Sequence, residues 1–221
     1  MTGHMAYRVK NSVKKRNGHE LKIGVLGGTF DPVHNGHLVL AEQMSSYFNF
    51  PKVLFIPSNL PPHKEVEKIA PIGHRIEMLK LAIKDNDVFE MSVLECEREG
   101  MSYSYETIGL LEKMYPPDTE FYFIVGSDVL YDLETFKNFE ILSKKCSFAT
   151  AVRPGANVER LSDVVERLGK KYGATIYPVP FHEIDISSTM IRERIASGKS
   201  VRYLTPEAVL SYIMENKLYM K

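Results

Sequence analysis

The sequence predicts an α/β fold: one doubly wound parallel sheet with helices on both faces, in a single domain. Three observations lead there. Apolar runs of strand length alternate with segments of helical periodicity along the whole chain. The strand runs are apolar at successive positions, as expected of strands covered on both faces, rather than alternating with polar residues. The length, 221 residues, suits one domain with a substantial core.

Taken in order, Lys22–Leu26 (KIGVL) is the first buried strand. Leu38, Ala41, Ser45 and Phe48 then share one helical face. Lys52–Ile56 (KVLFI) is a second strand, stopped by Pro57, and Ile76, Leu79 and Ile83 mark another helix. A strand is expected over Val88–Leu94 and a helix over Glu106–Met114, which Pro116-Pro117 prevents from continuing. Phe121–Val125 (FYFIV) and Ser147–Val152 are strands, Val158–Tyr172 is a helix and Thr175–Val179 a further strand. Two short helices close the chain, the last with Thr205 as N-cap and Pro206 at its first helical position. In open sheets of this kind ligands bind beyond the carboxyl ends of the strands, which directs attention to the residues after Leu26, Ile56, Val125 and Val152.

Composition narrows the classes of partner. Lys plus Arg and Asp plus Glu are both 28, so the formal net charge is zero and nothing calls for nucleic acid or an anionic membrane. No apolar run is long enough to span a bilayer. Cys96 and Cys146 match no metal spacing and are read as two buried thiols of a cytoplasmic protein. Residues 1–21 carry several cations but no apolar signal-peptide core, and are read as a flexible solvated tail ahead of a domain over 22–221. Oligomeric state is left open, a homo-oligomer included.

Two segments carry chemistry. The first strand runs into Gly27-Gly28-Thr29-Phe30-Asp31-Pro32-Val33-His34-Asn35-Gly36-His37. Two glycines after a buried strand allow a tight turn and close approach of a ligand to backbone N–H groups, and the following helix points its positive end at the same place. His34 and His37, three residues apart, can turn both imidazoles to one ligand and offer N–H groups to phosphate oxygens. The pattern is neither GxGxxG nor GxxxxGK[ST]. A metal held by the two histidines wants a third ligand that the sequence does not supply nearby, so no resident metal is expected.

The second segment is Ile186-Ser187-Ser188-Thr189-Met190-Ile191-Arg192. A helix N-cap uses one of the three hydroxyls. Arg192 opposes the dipole of its own helix, which makes sense where hydroxyls, N–H groups and a guanidinium fork converge on an anion; a salt bridge to a nearby carboxylate is the alternative.

Gly28–His37 resembles the GxFxPxHxGH signature of the nucleotidyltransferase superfamily with the HxGH motif, and Ile186–Arg192 its ISSTxIR motif. Further stretches resemble the bacterial nicotinate mononucleotide adenylyltransferases: Phe55–Lys64 (FIPSNLPPHK), Arg75–Leu79 (RIEML), Gly126-Ser127-Asp128, Arg153-Pro154-Gly155 and Arg202–Pro206 (RYLTP). The likeness runs from about Lys22 to Tyr219 and departs in two places, where Ser102-Tyr103-Ser104 stands for SYT and Phe136-Lys137 for Trp-Lys.

The resemblance implies a Rossmann-like fold and transfer of the adenylyl group of ATP to nicotinate mononucleotide, in NAD synthesis. It implies His34, His37 and Arg192 as catalytic residues, with Gly27, Gly28, Thr29, Phe30, Gly126, Asp128, Ile186, Ser187, Ser188 and Thr189 on ATP. Asn59, Lys64, Ser102, Tyr103, Ser104, Phe136 and Arg153 fall to the acceptor, and Mg²⁺ is expected to accompany ATP. Other members of the superfamily transfer AMP or CMP to other phosphate acceptors, and a nucleotide sensor that keeps the fold without turnover is a rival of another class. The acceptor phosphate, with a second pKa of about 6, needs no general base, in keeping with the lack of a carboxylate–His or Ser–His arrangement in the sequence.

Overall fold

The computed structural model describes residues 21–60, 69–98, 100–152, 158–182 and 184–220, with Ser127, Asp128 and Val158 described by backbone alone. Six strands form one sheet: β1 (Leu21–Gly28), β2 (Lys52–Pro57), β3 (Phe89–Met91), β4 (Thr119–Gly126), β5 (Ser147–Val152) and β6 (Ile176–Pro180). Their spatial order is β3-β2-β1-β4-β5-β6 and every pairing is parallel. This is the order of a doubly wound sheet, whose connections leave β1 and β4 toward opposite edges.

Both faces are covered, which explains the unbroken apolar runs. On one face Leu26, Val53 and Phe55 pack with α1 (Asn35–Phe48), α2 (Ile72–Ile83), α7 (Ser188–Ala196) and α8 (Glu207–Glu215). On the other, Ile23, Val25, Leu54 and Ile56 pack with α3 (Ser104–Met114), α4 (Ser127–Asp132), α5 (Phe139–Leu142) and α6 (Val158–Tyr172). Gly24 is required where β1 passes Phe50, because a Cβ there would sit 2.9 Å from the ring.

The elements expected from sequence are present, with differences at their ends. β3 is three residues long and not seven, because the edge strand pairs only with β2 before the chain turns at Leu94. α3 starts two residues before Glu106, with Tyr103 as N-cap, which puts Ser104 in its first turn. Short α4, a 3-10 turn over Leu133–Thr135 and four-residue α5 were not expected, being too short to show a helical period. Pro206, not Thr205, is the N-cap of α8; the Thr205 hydroxyl instead donates to the Val33 carbonyl at 2.8 Å. β1 already begins at Leu21. Cys146 is buried, whereas Cys96 is only half-buried, and both are free thiols. Among the described residues no helix is long and apolar enough to cross a membrane.

Candidate active site

The strand order reverses between β1 and β4, and a cavity of about 830 Å³ opens there. Its walls are the carboxyl ends of those two strands, Val25–Thr29 and Phe123–Gly126, with Ile56 and Ser58 from the end of β2. Three of the four strand ends singled out from the sequence therefore meet in one place. The fourth continues into residues 153–157, so Arg153 lies outside the described residues, as does Lys64.

One end of the cavity is the turn between β1 and α1. Phe30 takes a positive φ of 50° and its ring, 1% exposed, packs against Phe55 and edge-on to His37. What Phe30 can present to a ligand is thus its backbone. The Asp31–Pro32 peptide is cis. His34 is the N-cap of α1, and His37 stands in the first turn with its ring in the cavity wall. The His34 backbone N–H donates to His37 Nδ1 at 3.2 Å and the two imidazoles stack at 3.7 Å. With Nδ1 accepting, the neutral His37 ring carries its proton on Nε2. His34 is 6% exposed, and burial pulls its pKa down to about 4, so it works as a neutral ring. Its Nδ1 is buried and makes no hydrogen bond among the described residues.

Three other segments brace this turn. Arg75 of α2, 2% exposed, donates to the carbonyls of Thr29 (2.9 Å), Ser58 (2.7 Å), Asn59 (3.2 Å) and Ala70 (3.0 Å). Burial lowers its pKa and nearby Asp31 raises it, so the guanidinium remains a cation tying the ends of β1 and β2 together. The Arg202–Pro206 stretch lies against the start of α1, where Asn35 donates to the carbonyls of Tyr203 and Leu204.

The third brace is α7. Ser187 caps it by accepting from the Met190 N–H at 3.1 Å, Ser188 donates to the Pro32 carbonyl at 2.9 Å, and Thr189 Oγ1 accepts from Arg192 at 3.2 Å. Arg192 also donates to the Asp31 carbonyl at 2.8 Å and lies 3.7 Å from its carboxylate. Each of the three hydroxyls thus has a partner within the protein, and the salt-bridge alternative for Arg192 is realised at long range. His34, Arg192 and Ser187–Thr189 stand beside and behind the turn rather than in the cavity wall, and Ile186 packs on the core.

The other end of the cavity is built from Glu95, Met101, Ser102, Tyr103, Ser104 and Thr107 on one side and Thr135, Phe136 and Lys137 on the other. The α3 N-terminus opens here, at Ser104. Glu95 is buried with the Thr107 hydroxyl 2.5 Å from its Oε1; burial raises its pKa, and the hydroxyls of Thr107 and Ser102 oppose that. Ser102 Oγ also accepts from the Asn59 N–H at 3.1 Å, which puts Asn59 one step behind the wall. Lys137 Nζ lies over the Tyr103 ring, 4.1 Å from its centroid.

Of the residues chosen from the sequence, Gly27, Gly28, Thr29, His37, Gly126, Ser102, Tyr103, Ser104 and Phe136 share this one cavity. Asp128 lies in α4, its side chain outside what is described. Sequence reasoning passed over Glu95, Thr107, Lys137, Arg75 and Asp31 as individual contributors. Arg75 and Lys137 lay inside quoted motifs, but nothing in their spacing showed that one is buried in the scaffold and the other faces the cavity.

Residues 25–194 match the model of the cytidylyltransferase-like family. The chain is 44% identical over 202 residues to a probable nicotinate-nucleotide adenylyltransferase of Thermoanaerobacter sp. (strain X514), covering 91% of this chain and 96% of that protein. It is 40% identical over 201 residues to the nicotinate-nucleotide adenylyltransferase of Bacillus subtilis (strain 168), covering 90% and 98%. In fold it is similar to the Plasmodium falciparum nicotinic acid mononucleotide adenylyltransferase complexed with NaAD, with a TM-score of 0.74 at 20% identity over 91% of this chain and 98% of that one.

Proposed function

This chain belongs to the cytidylyltransferase-like family and, within it, to the nicotinate-nucleotide adenylyltransferases, and we propose that it transfers the adenylyl group of ATP to nicotinate mononucleotide. The products are nicotinate adenine dinucleotide and pyrophosphate. The observation that supports this most is the cavity at the β1/β4 switch, with the His37-bearing turn at one end and an aromatic and hydroxyl-bearing shelf at the other. Its volume, about 830 Å³, lies toward the upper end of the ~300–1,000 Å³ usual for small-molecule sites.

In this reading an oxygen of the acceptor's 5′-phosphate attacks the α-phosphorus of ATP. A P–O bond forms there as the bond to the bridging oxygen of the β-phosphate breaks, and pyrophosphate leaves with that electron pair. The nucleophile is already an anion, so the protein's work is alignment and stabilisation of charge. His37 Nε2–H would donate to an α-phosphate oxygen, the dipole of fourteen-residue α1 would add its positive end, and Arg192 would meet the departing pyrophosphate. Neutral His34 would hold the turn and donate a hydrogen bond rather than a charge.

The described residues hold no group of three or more His, Cys, Asp or Glu side chains that could hold a metal ion. Mg²⁺ would come in with ATP, held mainly by phosphate oxygens and water, and would neutralise phosphate charge. At the other end Phe136 would stack on the pyridine ring, with Lys137 and the α3 N-terminus beside its acid group.

The test is pyrophosphate release from ATP and Mg²⁺ with a panel of phosphate acceptors. Release is expected with nicotinate mononucleotide above all others. No release with any pyridine mononucleotide would overturn the reading, and faster release with another acceptor would reassign the substrate.

A further inference from the structure

We propose that Asp31 is a positioning residue, which holds Arg192 beside the Gly28–His37 turn that ends the cavity and latches the C-terminal segment, through Tyr219, to the same turn. Four contacts converge on it. The Tyr219 hydroxyl donates to Oδ1 at 2.7 Å, from 188 residues along the chain, and the Ala70 N–H donates to the same oxygen at 3.2 Å. Arg192 Nη1 donates to the Asp31 carbonyl at 2.8 Å and lies 3.7 Å from Oδ2. The Asp31 side chain is 2% exposed.

A buried carboxylate is costly unless paired, and one set beside a polyphosphate site repels the ligand the site is built to bind. An apolar or amide side chain would avoid both penalties. The carboxylate is therefore accounted for by what it organises. Arg192 carries a long side chain with much rotamer freedom, and fixing its fork before ATP arrives removes that ordering cost from binding. One hydrogen bond to the Asp31 carbonyl, a 3.7 Å ion pair with its carboxylate and one hydrogen bond to Thr189 give the fork a fixed address. Arg75, on the far side, offsets the carboxylate's charge without reaching the cavity wall.

Tyr219 completes the arrangement. Burial, and then Asp31 itself, push its hydroxyl well above the ordinary tyrosine range, so it stays a donor. Its backbone takes φ of 62°, a region few non-glycine residues occupy.

The proposal rests on the adenylyltransferase reading for its kinetic arm only. ATP dissociation constants with Mg²⁺ and no acceptor, and KM for each substrate, are measured for wild type, Tyr219→Phe, Asp31→Asn and Arg192→Ala, and for the first two changes combined with Arg192→Ala. Tyr219→Phe should weaken ATP about 3- to 10-fold, the worth of one hydrogen bond, and Asp31→Asn should weaken it by more, with the acceptor KM changed less than about twofold. In the Arg192→Ala background neither should weaken ATP further. Additive losses, unchanged ATP affinity in the single variants, or equal shifts in both KM values would overturn the proposal. If Asp31→Asn does not fold, the Tyr219→Phe cycle alone decides. Should wild type bind ATP but turn over no acceptor, the functional reading fails and the binding cycle still judges Asp31.

Discussion

His34 and His37 are joined main chain to side chain: the His34 N–H donates to His37 Nδ1 at 3.2 Å, beneath imidazoles stacked 3.7 Å apart. The bond caps α1 and selects the His37 tautomer at once, so helix formation and orientation of the Nε2 donor are one event.

Replacing His37 therefore removes a preoriented donor and one cap of the helix. His37→Ala should fold and lose about 10²- to 10³-fold in kcat, the usual loss for a transition-state hydrogen-bond donor. The lost cap should cost about 1 kcal/mol in stability. Urea unfolding and single-turnover kinetics read the two separately. A folded variant with near wild-type turnover would remove His37 from the mechanism.

His34 makes stability depend on pH in a definite direction. Burial holds its folded pKa at about 4, below the ordinary 6.5 that the unfolded chain regains. As pH falls below 6.5 the unfolded state takes up a proton that the folded state refuses, so stability declines from about pH 6.5 to about pH 4 and this contribution is then exhausted. At 1.36 kcal/mol per pH unit the loss is on the order of 3 kcal/mol. Urea midpoints across that range should fall more steeply for wild type than for His34→Gln, which lacks the group. Parallel profiles would show that His34 is not the titrating residue.

Phe136 stands in the cavity wall and is also packed, half-buried, against the core on the α3 face of the sheet. The two roles separate by substitution. Phe136→Leu keeps apolar bulk and loses the ring face, worth about 0.5–1.5 kcal/mol in a stack. It should raise the acceptor KM about 2- to 10-fold, with ATP KM and thermal midpoint nearly unchanged. A lower midpoint with an unchanged acceptor KM would assign Phe136 to packing alone.

The sheet was legible because its signal is repeated: six apolar runs, and the longer helices between them, announce their periods. The switch point followed, since strand order and direction set where ligands gather. Individual roles were less legible. Phe30 and His37 sit in one motif, yet the Phe30 ring is core and the His37 ring is wall, a difference set by the positive φ at Phe30 and by Phe55 across the sheet. Ser187, Ser188 and Thr189 read as three phosphate hydroxyls but point to three internal partners, which spacing along a helix cannot distinguish. Asp31 and Tyr219 are 188 positions apart, and no local pattern joins them.

Nicotinate and nicotinamide mononucleotide differ only in a carboxylate against a carboxamide. The family resemblance assigns both Ser102 and Ser104 to the acceptor. The structure narrows that: Ser102 Oγ accepts from the Asn59 N–H and is engaged with buried Glu95, so its donor is turned inward. What remains is the N-terminus of α3 at Ser104 and Tyr105, and Lys137, whose Nζ lies over the ring of the N-cap Tyr103. Both favour an anion. A carboxylate accepts from all of these groups, whereas an amide would set its NH₂ against one of them and leave a donor unpaired. That costs about 1–3 kcal/mol, or roughly 10- to 100-fold in kcat/KM. Glu95 lines the same end of the cavity, and burial favours its neutral form, which lessens its opposition to the acid. The acid should therefore be preferred by about 10- to 100-fold at saturating ATP and Mg²⁺, and Lys137→Gln should narrow the ratio several-fold by slowing the acid while leaving the amide unchanged. Equal kcat/KM for the two acceptors in the wild type would refute nicotinate as the substrate. A ratio untouched by Lys137→Gln would place recognition wholly on the backbone of α3.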